Sequence, residues 1–306
     1  MCGILGRKEM KALVKIQSEI VREIRRFLFK KGFLEVLPPL FDEVTDPGIR
    51  RAKFFEIEFY GKSYKLMSAL TVHKQILASH FGKIFSFCPC FRKEDKKARY
   101  TKRHLAQFWQ VEVEIPYASY EDAMKLVERL VQSVCKHVKE KCRKELKVLK
   151  SDLKVPSLPF PRIKHEDAVR IARKLGRKAY WEKELPWEAE KALSLHFKQP
   201  FFIFLYPAGS RGFYEKIESR KSLSFDLIYD SGFGEGCSGS ERECEYEKIL
   251  KKIKGTHLEK SKWYLDSIKK LKPSSGFGIG LERLTRYICK LPSIEKATLF
   301  PRIPGG

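Results

Sequence analysis

The chain has 306 residues, with 62 Lys and Arg against 38 Asp and Glu, a formal charge of +24. Apolar residues make up 43% of it, enough for a substantial core. No run approaches the roughly 20 apolar residues of a membrane span, and the opening MCGILGRKEM is too short and too weakly apolar for a secretory leader, so a cytoplasmic protein of one large domain or two small ones is expected. The eight cysteines include no CxxC pair, so a zinc ribbon or redox dithiol is unsupported and buried free thiols are expected. The cationic excess fits a polyanion such as RNA, or ATP in a cleft. It fits a densely charged, solvated surface equally well.

In chain order, residues 10–31 read as an amphipathic helix that ends at Gly32 with Lys30 and Lys31 at its C-terminus. FLEVLPPLF follows as a short strand stopped by Pro38 and Pro39. Residues 54–67 alternate about Gly61-Lys62 and predict a hairpin. A helix is expected over about 70–81, then strands over 84–92 and 106–115 around a basic loop. Ser119, followed by acids in the first turn, caps a strong helix. Residues 145–198 read as an irregular, helical insertion within a single domain spanning 1–306. PFFIFLYP, SLSFDLIYD and GEGCSGS predict strands, followed by a helix over about 241–254 and a last helix starting near Gly280. Strands arrive as hairpins and not as βαβ units, which predicts an α+β fold: a mostly antiparallel sheet flanked by helices.

Three stretches carry chemistry. In FRKEDKKARYTKRHLAQFWQVEVEI, Arg92 ends an apolar strand, so its planar fork emerges at the sheet rim and suits a phosphate or carboxylate. Glu94 lies two residues on, sharing its face by strand periodicity. Arg99, Lys102, Arg103 and His104 populate the loop and suit the trailing phosphates of ATP. On the return strand Phe108, Gln110, Glu112 and Glu114 share one face, while Trp109, Val111 and Val113 take the other. Phe108 suits a purine ring, and the acids suit a substrate ammonium. In FDLIYDSGFGEGCSGSERECEYEKI the three glycines at 232, 234 and 236 suggest a dinucleotide loop. Glu235 inside that loop would repel a pyrophosphate, and no βαβ unit with a ribose-binding acid follows. Asp226 and Glu235 holding Mg2+ against a triphosphate is the more coherent reading. In SSGFGIGLERL the glycines at 276, 278 and 280 let a backbone pass close to a nucleotide, and Arg283 sits on the first turn of the following helix. Helix packing relieved by glycine explains that stretch nearly as well.

Together these stretches resemble the signature motifs of class II aminoacyl-tRNA synthetases. GFLEVLPPL is similar to motif 1, with Pro39 at its proline; residues 91–114 are similar to motif 2, and GFGIGLERL to motif 3. RHLAQFWQVEVEI and GSERE resemble the aspartate/asparagine subgroup. The resemblance implies a homodimer built on motif 1, with ATP and Mg2+ as cofactors. It implies that Arg92 binds the activated carboxylate and α-phosphate, Glu94 the adenine amino group and Phe108 the ring face. Arg103 and His104 would reach the outer phosphates and Arg283 the γ-phosphate. Asp226 and Glu235 would hold Mg2+, and Gln110 and Glu112 would line the amino-acid pocket. Lys74 and Arg242, with Ser68 beside them, would read a carboxylate of aspartate.

Three departures shape the functional expectation. The motif 1 helix starts within the first dozen residues, so the anticodon-reading OB-fold of aspartate-type synthetases is not expected ahead of it. VTDPGIRR places Asp46 where the subgroup has a small-Glu-Gly loop, and Gln107 stands where an acid is common. This truncated form resembles archaeal asparagine synthetases related to asparaginyl-tRNA synthetase. That implies aspartate, ATP and ammonia as substrates: an aspartyl-adenylate is amidated, with Asp46 positioning an ammonium group or ammonia, and Arg92 and Arg242 in the catalytic clamp. The alternative is an aspartyl- or asparaginyl-tRNA synthetase-like ligase acting on tRNA or another RNA, which the cationic charge favours. A non-catalytic nucleotide binder is a third reading, opposed by the intact Arg92, Glu235, Arg242 and Arg283.

Overall fold

A computed structural model describes residues 6–47 and 54–305. In chain order the elements are α1 (Arg7–Lys30), β1 (Leu34–Glu35), β2 (Phe41–Asp42), β3 (Glu56–Phe59), β4 (Lys62–Leu66), α2 (Thr71–Phe81), β5 (Ile84–Phe91), β6 (Gln107–Pro116), α3 (Tyr120–Lys141) and α4 (Arg143–Val148). There follow β7 (Arg162–Lys164), α5 (His165–Lys174), α6 (Trp187–His196), β8 (Phe201–Pro207), β9 (Ile217–Glu218), β10 (Lys221–Tyr229), β11 (Gly234–Glu241), α7 (Tyr246–Ile253), α8 (Lys262–Ile268), β12 (Ser274–Gly280) and α9 (Leu281–Cys289).

Among the described residues one large sheet runs in the order β1-β5-β6-β12-β11-β10-β8-β7, with β9 paired to β10. Only its two edges, β1 on β5 and β7 on β8, are parallel; the other pairs are antiparallel. The α+β expectation therefore holds. A separate antiparallel sheet, β2-β4-β3, carries the predicted hairpin.

Strand alternation divides the two faces of the sheet. Val111, Val113, Leu227, Cys237, Phe277 and Ile279 point to one side and form the main core with Leu13, Ile16, Ile20 and Ile24 of α1 and with residues of α3 and α9. The apolar positions of α1 recur every three or four residues, which is why one stripe of it is buried. α3 starts on the predicted cap: the Ser119 hydroxyl accepts from the Asp122 amide at 3.2 Å, and the Asp122 carboxylate accepts from the Ser119 amide at 3.2 Å. The opposite face of β6 is left to Phe108, Gln110, Glu112 and Glu114.

Two expectations change. The helix expected from about 241 begins only at Tyr246. The backbone keeps pairing first: the Arg242 amide donates to the Ser274 carbonyl at 2.8 Å and the Glu243 amide to the Tyr214 carbonyl at 2.9 Å. The region 145–198 is also more than a helical insertion, because β7 extends the sheet edge and α5 and α6 build a second core against Phe201 and Ile203 of β8.

Ser119→Ala removes a cap that also anchors Asp122, and should lower stability by about 1 kcal/mol. Differential scanning calorimetry should register this as a fall in Tm of about 2–4 °C; an unchanged Tm would mean that the cap contributes nothing.

Candidate active site

A cavity of about 230 Å3 opens on the face of β6, β12 and β11 opposite the helices. Thirteen of the fourteen expected site residues line it: Asp46, Ser68, Lys74, Arg92, Glu94, Arg103, His104, Phe108, Gln110, Glu112, Glu235, Arg242 and Arg283. Arg92 and Arg242, from different strands of the sequence pattern, thus share one space.

The floor of one end is a buried charge network. Lys74 Nζ, carried in by α2, donates to Glu112 Oε2 at 2.6 Å and to the Phe277 carbonyl at 2.9 Å, and lies 3.7 Å from Glu114 Oε2. Arg242 Nε and Nη2 fork onto Glu114 at 3.0 and 3.1 Å, while Nη1 donates to Ser240 Oγ at 2.8 Å. All four charged side chains are at most 3% exposed. Charges this dry persist only with their partners in place. Glycines of β12 make room for them. Gly276 pairs with Glu114 and Gly278 with Glu112 across the ladder. A Cβ at Gly276 would lie 1.8 Å from Glu114 Oε2. So Gly276 and Gly278 let the β6 carboxylates lie across the strand, and of the three glycines expected to admit a nucleotide Gly278 and Gly280 are on the cavity wall.

The other end is arginine-rich. Arg92 Nε donates to the Ser68 carbonyl at 3.1 Å, and its guanidinium sits 5.1 Å from the Phe108 ring centroid. Ser68 Oγ donates to the Asp46 carbonyl at 2.6 Å, tying the Asp46 segment to the same wall. Beyond Pro47, the VTDPGIRR loop lies outside the described residues until Phe54. His104 Nδ1 and the Thr101 hydroxyl are 2.6 Å apart. Arg283 Nη1 donates to the Glu235 carbonyl at 3.1 Å and forms an ion pair with Glu235 Oε1 at 3.1 Å. Burial alone would raise the Glu235 pKa, but Arg283, Arg103 and Arg211 outweigh it and hold this acid far below the usual carboxylate range.

Asp226 is the exception among the expected residues. It lies beneath the cavity wall, with both oxygens engaged: Arg211 Nη2 and Nη1 donate at 2.5 and 3.0 Å, Tyr206 at 2.8 Å and Ser238 at 2.6 Å. The Ser238 hydroxyl, 3.0 Å from Glu235 Oε1, takes its place on the wall. A β-bulge sets Ser238 beside Glu235. Leu227 pairs with Cys237 and Ile228 with Glu235, leaving Gly236 unpaired and turning Glu235 and Ser238, three residues apart, to one side. Period-two reading of the strand could not place Ser238 there.

Other contributors had little local signal. α6 brings Glu190, whose Oε1 accepts from Arg103 Nη1 and from the Glu235 amide, both at 2.6 Å, and Trp187, whose ring lies 4.4 Å from the Arg103 guanidinium. The turn before β9 brings Arg211, Tyr214 and Glu215 to the wall. Charged and aromatic residues packed into the glycine-flanked SRGFYEK turn are the one hint that the sequence offered. Burial raises the Glu215 carboxyl to about 7, against the opposing pull of Arg211 and of the Ser222 hydroxyl bonded to it. Burial likewise raises Glu282, which accepts from the Trp109 amide, to about 7.

Residues 4–304 match the family model for class II tRNA synthetases (D, K and N). An asparagine–tRNA ligase of Pyrococcus abyssi is 33% identical over 97% of the chain, and an aspartate–tRNA(Asp/Asn) ligase of Methanopyrus kandleri is 33% identical over 97%; the chain spans 69% of each. The crystal structure of asparaginyl-tRNA synthetase from Pyrococcus horikoshii, complexed with asparaginyl-adenylate, superimposes with a TM-score of 0.90 and 32% identity, covering 97% of this chain and 69% of that one. These findings overturn the expected ammonia-dependent asparagine synthetase: the relatives matched over almost the whole chain are tRNA ligases, and the matched core holds asparagine already formed, as its adenylate.

Glu190→Gln should loosen Arg103 and Glu235 together. The expected outcome in pyrophosphate exchange is a KM for ATP raised roughly tenfold, in line with a lost charged hydrogen bond, with the amino-acid KM unchanged. A parallel change in both constants would assign Glu190 to general stability instead. Glu215 binds its proton more tightly in the native state than in the unfolded chain, near 4.5. Its contribution to stability is therefore complete below about pH 4.5 and is lost as pH rises through about 7. Glu215→Gln should flatten the fall in Tm between those pH values, and an unaltered slope would contradict the assignment.

Proposed function

The chain belongs to the class II tRNA synthetase family (D, K and N), and on that premise we propose that it activates asparagine with ATP as an aminoacyl-adenylate and transfers it to the 3′ end of tRNA or another RNA. The charge balance of the cavity floor carries the choice of amino acid. Lys74 and Arg242 are each already bonded to a carboxylate, Glu112 and Glu114. A neutral side-chain amide donates to one member of such a pair and accepts from another. A further carboxylate would add an unbalanced charge to a dry site. The aspartate expected from Lys74 and Arg242 counted only the cations. It stays the second reading, favoured by both cations reaching the same wall and by the aspartate–tRNA(Asp/Asn) relative.

Arg92 faces the α-carboxylate. A carboxylate oxygen attacks the α-phosphorus in line, the bond to the bridging oxygen breaks, and pyrophosphate leaves. Arg92 balances charge on the phosphoryl oxygens, and fixed positioning supplies much of the rate. Phe108 stacks on adenine and Glu94 accepts from its amino group. Arg103, His104 and Arg283 take the outer phosphates. The ionised Glu235 and the Ser238 hydroxyl are a fitting donor set for Mg2+, which favours one or two carboxylates plus phosphate oxygens; when bound, the ion offsets phosphate charge. Asp226 orients Ser238. Asp46 positions the substrate ammonium. A ribose hydroxyl then attacks the acyl carbon and AMP leaves. Exposed Phe29, Leu34, Leu37 and Leu40 on the motif 1 segment support a homodimer through that face.

ATP–pyrophosphate exchange should depend on asparagine, with aspartate at least roughly tenfold poorer in kcat/KM, and Arg92→Ala should lower it by about a hundredfold or more. Aspartate-dependent exchange alone would establish the second reading. No amino-acid-dependent exchange, or free asparagine formed from aspartate and ammonium without RNA, would overturn the proposal.

A further inference from the structure

Residues 136–154, KHVKEKCRKELKVLKSDLK, hold eight Lys and Arg against three acids. They run from the end of α3 through α4 to the segment beyond it. Five of the cations, Lys139, Arg143, Lys147, Lys150 and Lys154, surround one shallow groove of about 620 Å3, whose only acid is Asp152. All five are exposed. Among the described residues none of them has a carboxylate within 4.0 Å. Elsewhere on the surface, lysines such as Lys125, Lys248 and Lys269 are paired with an acid three residues away. What distinguishes the groove is that five cations gather around one concave surface with a single acid.

The scaffold under these cations is fixed. Cys142, Leu146 and Leu153 are buried in the main core with α1 and α3. Ser151 Oγ donates to the Ile288 carbonyl of α9 at 2.6 Å, and its amide donates to the Leu146 carbonyl at 2.9 Å. Arg143 and Lys147 lie one helical turn apart and so present their charges side by side. The groove belongs to the helix layer, on the side of the sheet opposite the cavity, and shares no residue with it. An RNA end seated in the cavity does not use these cations.

We propose that this groove binds the phosphate backbone of an RNA strand, as a second, sequence-independent contact separate from the catalytic cavity. A row of unpaired cations on a rigid support binds a polyanion by displacing its condensed counterions, which requires no base contacts. The two leucines are buried, so the groove offers charge and little apolar surface, which favours a phosphate backbone over a lipid surface. The inference does not depend on which amino acid the cavity takes.

The test is fluorescence anisotropy of a labelled oligouridine across about 50–200 mM salt. It compares wild type, the groove variant Arg143→Glu/Lys147→Glu/Lys150→Glu/Lys154→Glu and a control of equal net charge, Lys251→Glu/Lys254→Glu/Lys260→Glu/Lys270→Glu. The groove variant should bind at least roughly tenfold more weakly, with a log–log salt slope reduced by about three to four, while the control stays within about twofold of wild type. Equal losses in both variants, or full affinity in the groove variant, overturn the proposal. So does wild-type binding to phosphatidylserine vesicles without binding to the RNA. Acetylation footprinting of the wild-type protein gives an answer independent of variant folding: oligouridine should protect Lys147, Lys150 and Lys154, and absence of protection overturns the proposal. Pyrophosphate exchange should persist in both variants, and its absence in wild type counts against the activation chemistry and not against the groove.

Discussion

Two crossed ion pairs, Lys74 with Glu112 and Arg242 with Glu114, hold the rest of the site in place. Each charge is almost wholly removed from water, so none is tolerable alone, and removal of one partner from such a pair costs about 3–5 kcal/mol. The four residues come from α2, β6 and the segment after β11. Their pairing therefore ties a helix to the sheet, in that neither side can lose its partner without stranding a buried charge. The glycines of β12 are part of the same constraint, because the carboxylates of β6 occupy the space that side chains there would take. The chemistry of the pocket follows from this neutral network: it presents donors and acceptors in equal measure without a net field, so polarity is matched to a ligand of similar balance.

The arginine-rich end of the cavity is organised differently. Arginines dominate it, and the acid among them, Glu235, is kept ionised by the cations around it. The supports come from distant parts of the chain. Glu190 and Trp187 on α6 fix Arg103 from outside the sheet, and the β10–β11 bulge turns Ser238 towards Glu235. A region that looked like a peripheral insertion thus braces the groups that would meet the outer phosphates. A single acid, Glu190, connects the loop arginine Arg103 to the backbone of Glu235.

Much of this was legible from periodicity. The β5–β6 hairpin, its basic loop and the alternation of Phe108, Gln110, Glu112 and Glu114 followed from a pattern of two, and the Ser119 cap from a local hydrogen-bonding rule. The antiparallel sheet followed from the order of hairpins. What sequence could not carry was anything set by tertiary register. The bulge at Gly236 breaks the parity on which strand reading depends, so Ser238 could not be placed beside Glu235; Asp226 lies opposite Ser238 in the ladder and is covered by Arg211 and Tyr206, partners that no local pattern announces. Arg211, Tyr214 and Glu215 reach the cavity from a turn whose crowding of charged and aromatic residues is only a hint, and Glu190 from a helix whose local pattern says nothing about it. The charge balance of the cavity floor was hidden for a related reason. Lys74 and Arg242 were counted as free cations, and only the folded structure pairs each with an acid; the relatives then favoured an RNA ligase over an amidating enzyme.

The most direct test of the account is a crystal structure of the protein with a non-hydrolysable asparaginyl-adenylate analogue. The account predicts the phosphate mimic against Arg92, adenine on the Phe108 ring and the amide between Glu112 and Arg242, with the Lys74–Glu112 and Arg242–Glu114 pairs intact. An analogue bound outside this cavity, or bound inside it with those pairs broken and the amide end turned towards Arg92, would contradict it.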